Sequence, residues 1–353
     1  MKKGIWINDQ WYDREKILHT DSKPDLLDAD IFSFLKEWYN PENHVEALTS
    51  GSTGTPKTIH LQKSYAAASA LATLEFFSIS PGSTALLSLP VRYIAGRMML
   101  IRALEGNLRL YTTPPASHPQ IPDQNLDFAA FTPHQFYHIS SSSDRMKHLN
   151  IKTIILGGSP VTPDIVKNSI GFGGKIYETF GMTETYSHIA LRSVYPETSD
   201  WFCAVPGVHF RSEEGHLIIE APHLGIRDLK TNDQVKLKSN TEFQWLGRSD
   251  FVINSGGIKI FPEVIEKKLA SAISSPFFIA GIPHPSLGEQ VALVIEKSET
   301  KSAVNRENIF NRNLSQYEKP RTTIYVHRIV KTATGKINRT ATLQKDNIFH
   351  ESK

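Results

Sequence analysis

Cysteine is nearly missing from this chain: Cys203 is the only one in 353 residues. A single thiol excludes an intramolecular disulfide and any cysteine-cluster metal site, and it fits a reducing compartment. Also missing is a run of about 18 apolar residues, the length a membrane-spanning helix needs. The richest stretch, 65–77, is interrupted by Ser69, Thr73 and Glu75. At the N-terminus, MKKGIWINDQWYDREK meets Asn8, Asp9 and Gln10 before any apolar segment reaches signal-peptide length. No export and no membrane span are therefore expected, and cytoplasm is the default location. No basic block stands out, and 39 Lys and Arg against 36 Asp and Glu leave a net charge of only +3. That gives nucleic acid no footprint, while the slight basicity suits a small anionic partner. The sequence shows no internal repeat and no low-complexity segment. No H-x-x-x-H pair is assigned to a helix, so the 14 histidines are not expected to form a metal site.

What is present is an ordinary globular composition, 40% hydrophobic and 21% charged, enough for a large core in a chain of about two to three domains. Residues 1–43 carry Trp6, Trp11, Tyr12, Phe32, Phe34, Trp38 and Tyr39, with helical spacing over 31–39, and read as an abbreviated packing segment. A short strand at 45–48 leads into a glycine-rich loop, and Ser64 is placed to cap a helix through 77. Strands at 84–89, 108–111, 128–131 and 153–156 alternate with helices over 94–104, from Pro133, and over 161–170. From Gly207 onward the segments shorten to strands at 208–211, 216–220, 234–237 and 243–246, an antiparallel β region. Beyond Arg248, helices at 262–273 and 305–314 and strands at 277–282, 291–296 and 323–327 make a compact α+β unit. The fold class is α/β. A large N-terminal domain (1–249) holds layered α/β and antiparallel β structure, and a small α+β C-terminal domain (250–353) follows.

Residues 49–57, TSGSTGTPK, concentrate hydroxyl and amide donors before a lysine, as a phosphate-holding loop requires. This is not the nucleotide loop G-x-x-x-x-G-K-[ST], because Thr55 and Pro56 separate Gly54 from Lys57. It resembles instead the phosphate loop of the adenylate-forming superfamily, which includes acyl-CoA and aryl-CoA ligases, adenylation domains of peptide synthetases, and luciferase. Four further segments resemble that family's motifs in order: YETFGMTET at 177–185; Thr231, Asn232 and Asp233 in place of T-G-D; GRSDFVINSGGIKIFPEVIEKKL at 247–269; and KTATGKINR at 331–339. Asn replaces Gly at 232, a residue that also tolerates positive φ. Phe180 stands where most relatives carry tyrosine. The resemblance covers nearly the whole chain, although only some forty residues precede the loop, where relatives have well over a hundred.

The resemblance implies ATP, Mg²⁺ and coenzyme A as cosubstrates and a small-molecule carboxylate as partner. Thr49, Ser50, Gly51, Ser52, Thr53, Gly54 and Lys57 would cradle phosphates, Gly158 would belong to the ATP site, Phe180 would stack on adenine, and Thr183 would contact phosphate. Glu184 would hold the metal, a hard oxygen ligand for a hard cation. Asp233 would accept the ribose hydroxyls, with Arg248 at ribose and phosphate. Asp250 would be the hinge between domains, and Gly256, Gly257 and Lys259 would border the coenzyme A channel. Lys336 would be the catalytic lysine. Within the family, LGGSPV at 156–161 and GMTETYSHIALR at 181–192 look most like 2-succinylbenzoate:CoA ligases. On that reading Arg92, Tyr93, Arg97, Ser159, Ser187 and His188 line the acyl pocket, and Arg92 or Arg97 would bind a second carboxylate bidentately. A ligase for a fatty or simple aryl acid, and a non-catalytic nucleotide-binding protein, are the alternatives.

Overall fold

The computed structural model describes residues 3–20, 27–48, 58–141, 143–297, 306–331 and 337–345. The chain divides into two compact units. The first comprises Met1–Phe210 with Ile219–Leu229 and Lys238–Phe243, and the second comprises Arg211–Ile218, Lys230–Leu237 and Gln244–Lys353.

In the first unit a hairpin, β1 (Gly4–Ile7) and β2 (Gln10–Asp13), is followed by helices α1 (Arg14–His19) and α2 (Ala29–Tyr39). A second hairpin pairs β3 (His44–Leu48) with β4 (Thr58–Gln62), its last described pair being Leu48 and Thr58. Strand β4 was not foreseen, and it moves the helix start. Helix α3 (Lys63–Phe76) begins directly after the strand with Gln62 at its N-cap, so Ser64 does not cap it.

Strands β5 (Thr84–Leu87), β6 (Arg109–Thr112), β7 (Leu126–Phe131), β8 (Ile151–Leu156) and β9 (Lys175–Gly181) pair in parallel in the order β6-β5-β7-β8-β9, and β1 joins β6 in parallel at one edge. At the other edge β10 (His188–Tyr195) and β11 (Trp201–Ala204) add antiparallel pairings. The central strands LDFAAF and IKTIIL are apolar almost throughout because helices cover both faces. Alternation along β7 shows this directly. Phe128 meets Phe77 at the end of α3, whereas Ala129 and Phe131 belong to the core shared with α5 (Pro133–Ile139), α6 (Ser143–His148) and α7 (Pro163–Asn168). Helix α4 (Ile94–Glu105) packs beside α3, whose buried Ala66, Ala70 and Ala72 permit close approach.

Strands β12 (His209–Glu213), β13 (His216–Ala221), β14 (Ile226–Ser239) and β15 (Glu242–Arg248) follow one another as neighbours, joined by connections too short for a parallel crossover. Strand β14 runs 14 residues and takes in 231–233, so Asn232 lies in extended chain and not at a turn with positive φ.

The remainder of the second unit is a sheet in the order β17-β16-β19-β18, with β20 parallel to β19. Its strands are β16 (Ile253–Ser255), β17 (Ile258–Ile260), β18 (Phe277–His284), β19 (Gly288–Glu296) and β20 (Thr322–Val326). Val291, Leu293 and Ile295 of β19 pack with α8 (Pro262–Leu269) and α9 (Arg306–Asn313), and Val294 packs on the opposite face with Leu343 of α10 (Arg339–Lys345). Among the described residues no helix is long and apolar enough to cross a membrane.

Candidate active site

Ligands of open parallel sheets gather where the strands end at their carboxyl edge. Here β8 ends at Leu156 and its neighbour β9 at Gly181, with Leu156 opposite Glu178 in register. The segment bearing Gly158 and Ser159 and the segment bearing Phe180, Thr183 and Glu184 therefore leave the sheet side by side. The Thr179 hydroxyl donates to the Leu156 carbonyl at 3.2 Å and holds the two ends together. A side chain at Gly181 would lie 2.2 Å from the Ser187 carbonyl, so this position requires the close approach only glycine allows. The Thr185 hydroxyl accepts from Met182 N–H at 3.0 Å and donates to the Ser187 carbonyl at 2.7 Å, tightening Thr183–Thr185 into a short 3₁₀ turn. Tyr186 completes that turn at φ 64°, a strained conformation for a bulky residue. The turn leaves Thr183 half-buried and Glu184 exposed, and no described cation pairs with Glu184. The Phe180 ring packs edge-on against buried Phe243, with centroids 5.1 Å apart.

Behind this turn lies a polar chain the sequence did not reveal. Arg102 of α4 is 2% exposed, and one terminal nitrogen donates to Ser187 Oγ at 2.8 Å. Ser187 Oγ meets His188 Nδ1 at 3.3 Å, and His188 Nε2 meets Thr73 Oγ1 at 3.1 Å. Thr73 donates onward to the Ser69 carbonyl at 3.1 Å. Because Thr73 spends its proton there, His188 carries its hydrogen on Nε2 and accepts from Ser187 on Nδ1. Burial first, and the Arg102 charge second, hold His188 well below its usual pKa, so it is neutral. Burial also lowers Arg102 to about 9, which leaves it charged at neutral pH. No described carboxylate forms an ion pair with Arg102, and its Nε has no partner.

The other two arginines of this region stand differently. Arg97 pairs with Glu37 at 2.8 Å, donates to the Val91 carbonyl, and lies over the Phe34 ring. Arg92 is exposed and lies over the half-buried Tyr93 ring. Neither is the isolated buried cation.

In the second unit, Asp233 is 5% exposed and accepts from Trp245 Nε1 at 2.9 Å, a partner the motif does not mention. Burial raises its pKa, opposed by the Trp245 hydrogen bond and the Arg248 charge. Asp250 pairs with Arg248 at 2.8 Å and accepts from Asn232 at 3.3 Å. Gly256 and Gly257 (φ 58° and 82°) form the two-residue turn between β16 and β17, a geometry that demands positive φ twice, and Lys259 is exposed on β17. Residues 49–57 and Lys336 lie outside the described residues. Three residues beyond Lys336, Arg339 bridges Glu263 at 3.1 Å and Glu266 at 2.7 Å, and burial pushes Glu266 up to about 7.

The histidine reading needs correction. His134 and His138 do stand four apart on α5, with ring centroids 4.7 Å apart. Even so, no group of three or more potential ligands able to hold a metal occurs among the described residues.

Residues 40–209 match the family described as AMP-binding enzyme. A crystal structure of an acyl-CoA synthetase (AMP-forming)/AMP-acid ligase II-like protein from Dyadobacter fermentans is 33% identical to the chain, covers 94% of it and 98% of its own length, and superposes with a TM-score of 0.62. The 2-succinylbenzoate--CoA ligase of Listeria monocytogenes is 24% identical over 362 residues, 92% of this chain and 73% of that protein. The o-succinylbenzoate coenzyme A synthetase of Bacillus subtilis, solved with ATP and magnesium, has a TM-score of 0.72 at 19% identity over 84% of this chain and 69% of that one. The chain belongs to the AMP-binding enzyme family. Within that family it is an AMP-forming acid:CoA ligase.

Proposed function

We propose that the acid is 2-succinylbenzoate, converted through its acyl adenylate to the coenzyme A thioester. The observation that carries this reading is Arg102: a buried, charged guanidinium with a free Nε and no described carboxylate beside it. A buried charge without a partner is costly, and a dicarboxylate substrate supplies the missing partner as a charge-assisted pair. In this role Arg102 takes the place first given to Arg92 and Arg97. Ser187 and His188 orient the guanidinium, and Tyr93 and Ser159 remain candidates for the pocket wall. Relatives named for this substrate support the assignment.

Attack of the reacting carboxylate on the α-phosphorus brings anions together, so catalysis is positioning and charge compensation. In the first unit the Gly158 loop and Phe180 would take adenine, and in the second Asp233 and Arg248 would take the ribose. Residues Thr49, Ser50, Gly51, Ser52, Thr53, Gly54 and Lys57 take the terminal phosphates together with Thr183. Magnesium fits Glu184, an exposed carboxylate beside a hydroxyl residue, and when bound supplies positive charge to the phosphates. Lys336 compensates the charge shared by carboxylate and α-phosphate. Coenzyme A then enters along Gly256, Gly257 and Lys259 after rotation at Asp250.

AMP formation with ATP, Mg²⁺, coenzyme A and 2-succinylbenzoate, run against benzoate and a medium-chain fatty acid, tests the reading. A clear preference for the dicarboxylate is expected. Equal or better turnover of benzoate or the fatty acid overturns the substrate assignment and leaves the ligase class standing.

A further inference from the structure

Arg192 on β10 has no role in the site as assigned, yet its guanidinium reaches toward both walls of the adenine seat. Nε and one terminal nitrogen donate to Glu178 Oε2 at 2.8 and 2.5 Å. The other oxygen of Glu178 accepts Val161 N–H at 3.2 Å, at the far end of the loop that leaves β8 through Gly157 and Gly158. On its other side the guanidinium carbon lies 4.8 Å from the centroid of the Phe202 ring. Phe202 in turn meets Phe180 at 5.7 Å. The two charged side chains are 15% and 8% exposed, so solvent screens the pair little, while Asp200 stands at the rim at 4.0 Å. A planar fork that binds a carboxylate through two nitrogens and stacks on a ring is a combination lysine cannot reproduce.

We propose that Arg192 is a positioning residue for ATP: through Glu178 it sets the 157–161 loop, and through Phe202 it sets the Phe180 ring, fixing the width of the slot that receives the base. The proposal rests on adenine occupying the seat at Phe180. A competing role exists, because Arg192 and Glu178 are also cross-strand neighbours in register between β9 and β10. A mere staple between strands changes stability without touching nucleotide affinity.

Steady-state kinetics of AMP formation separate these roles, using ATP and GTP as probes with Arg192→Met, Arg192→Lys and Phe180→Ala. Arg192→Met is expected to raise KM for ATP about tenfold while kcat changes less than about threefold, and to narrow the preference for ATP over GTP. Arg192→Lys, which keeps the charge but not the fork, should fall between Met and wild type. If Arg192→Met lowers only the thermal midpoint and leaves KM for ATP and the ATP preference unchanged, the proposal is wrong. If Phe180→Ala leaves KM for ATP unchanged, the seat itself is misplaced and the proposal falls with it. A raised KM in Phe180→Ala beside an unchanged KM in Arg192→Met overturns only the role of Arg192. Should Arg192→Met fail to fold, Glu178→Gln weakens the same pair while keeping an acceptor for Val161, and the same KM shift decides.

Discussion

Replacing Arg102 by methionine should make the protein at least as stable and much less able to use its substrate. Methionine fills similar space beside Met98, Met99 and Ile101, all fully buried, and carries no charge. Burial holds Arg102 near 9, which places the cost of keeping it charged in the folded state at several kcal/mol, at about 1.4 kcal/mol per unit. The substitution removes that cost and loses the hydrogen bond to Ser187, worth about 1 to 3 kcal/mol. The net is a thermal midpoint equal to or above the wild type. Function moves the other way. Losing a buried charge-assisted pair with the remote carboxylate costs about 2 to 5 kcal/mol of transition-state binding. This is roughly 30-fold to several thousand-fold in kcat/KM for 2-succinylbenzoate, whereas an acid with a single carboxylate should change less than about threefold. Thermal melting and pyrophosphate-release assays on both acids read the two effects. If Arg102→Met is strongly destabilised while selectivity between the acids stays intact, Arg102 is a structural residue and the second carboxylate binds elsewhere.

Three other outcomes can be checked alongside it. Lys336→Ala should abolish adenylation yet largely spare thioester formation from a supplied acyl adenylate, and normal adenylation in this variant removes Lys336 from the mechanism. Asp250→Pro fixes φ near −65° at the proposed hinge, so adenylate formation should stay measurable while thioester formation slows sharply; an equal fall in both, with the thermal transition intact, refutes the hinge. Glu266, raised by burial to about 7, binds a proton more tightly folded than unfolded, so its contribution is full below about pH 4.5 and fades as pH rises through 7. A loss on the order of 3 kcal/mol across that window is expected in wild type and not in Glu266→Gln, and parallel pH profiles of the two proteins would refute it.

Sequence patterns exposed the elements whose signals are local. Helices α2 and α4 follow from periodicity, and β7 and β8 from short apolar runs ended by Thr132 and Gly157. Strand β4 was missed because TIHLQ buries only Leu61 and acquires its form by pairing with β3. IRDLKTNDQVKLKS was read as a fragment for a similar reason: Asn232 and Asp233 suggest a turn locally, and pairing with neighbouring strands overrides them. At the site, the motif residues are named by resemblance to known enzymes, and their roles stand as proposals. Arg102 was not legible in this way. Within IAGRMMLIRALE it looks no different from Arg97, and only packing gives one arginine a glutamate and leaves the other isolated. Trp245 escaped notice likewise because it belongs to no motif, and Arg192, although it closes GMTETYSHIALR, has no assigned part there; each meets a partner at least 12 residues away that the local pattern does not show.

The hydrogen bonds from Arg102 to Ser69 all point one way, each group donating to the next. A second proton on His188 would require Ser187 to turn around and would set two positive charges side by side in a dry interior, so the chain conducts polarity in a single sense. The diacid receptor proposed at its head consequently holds one positive charge, no more and no fewer, across the whole range in which a dicarboxylate changes from monoanion to dianion. In this interval neither Arg102 nor His188 changes its protonation, so this receptor adds no titration of its own to the pH dependence of diacid affinity.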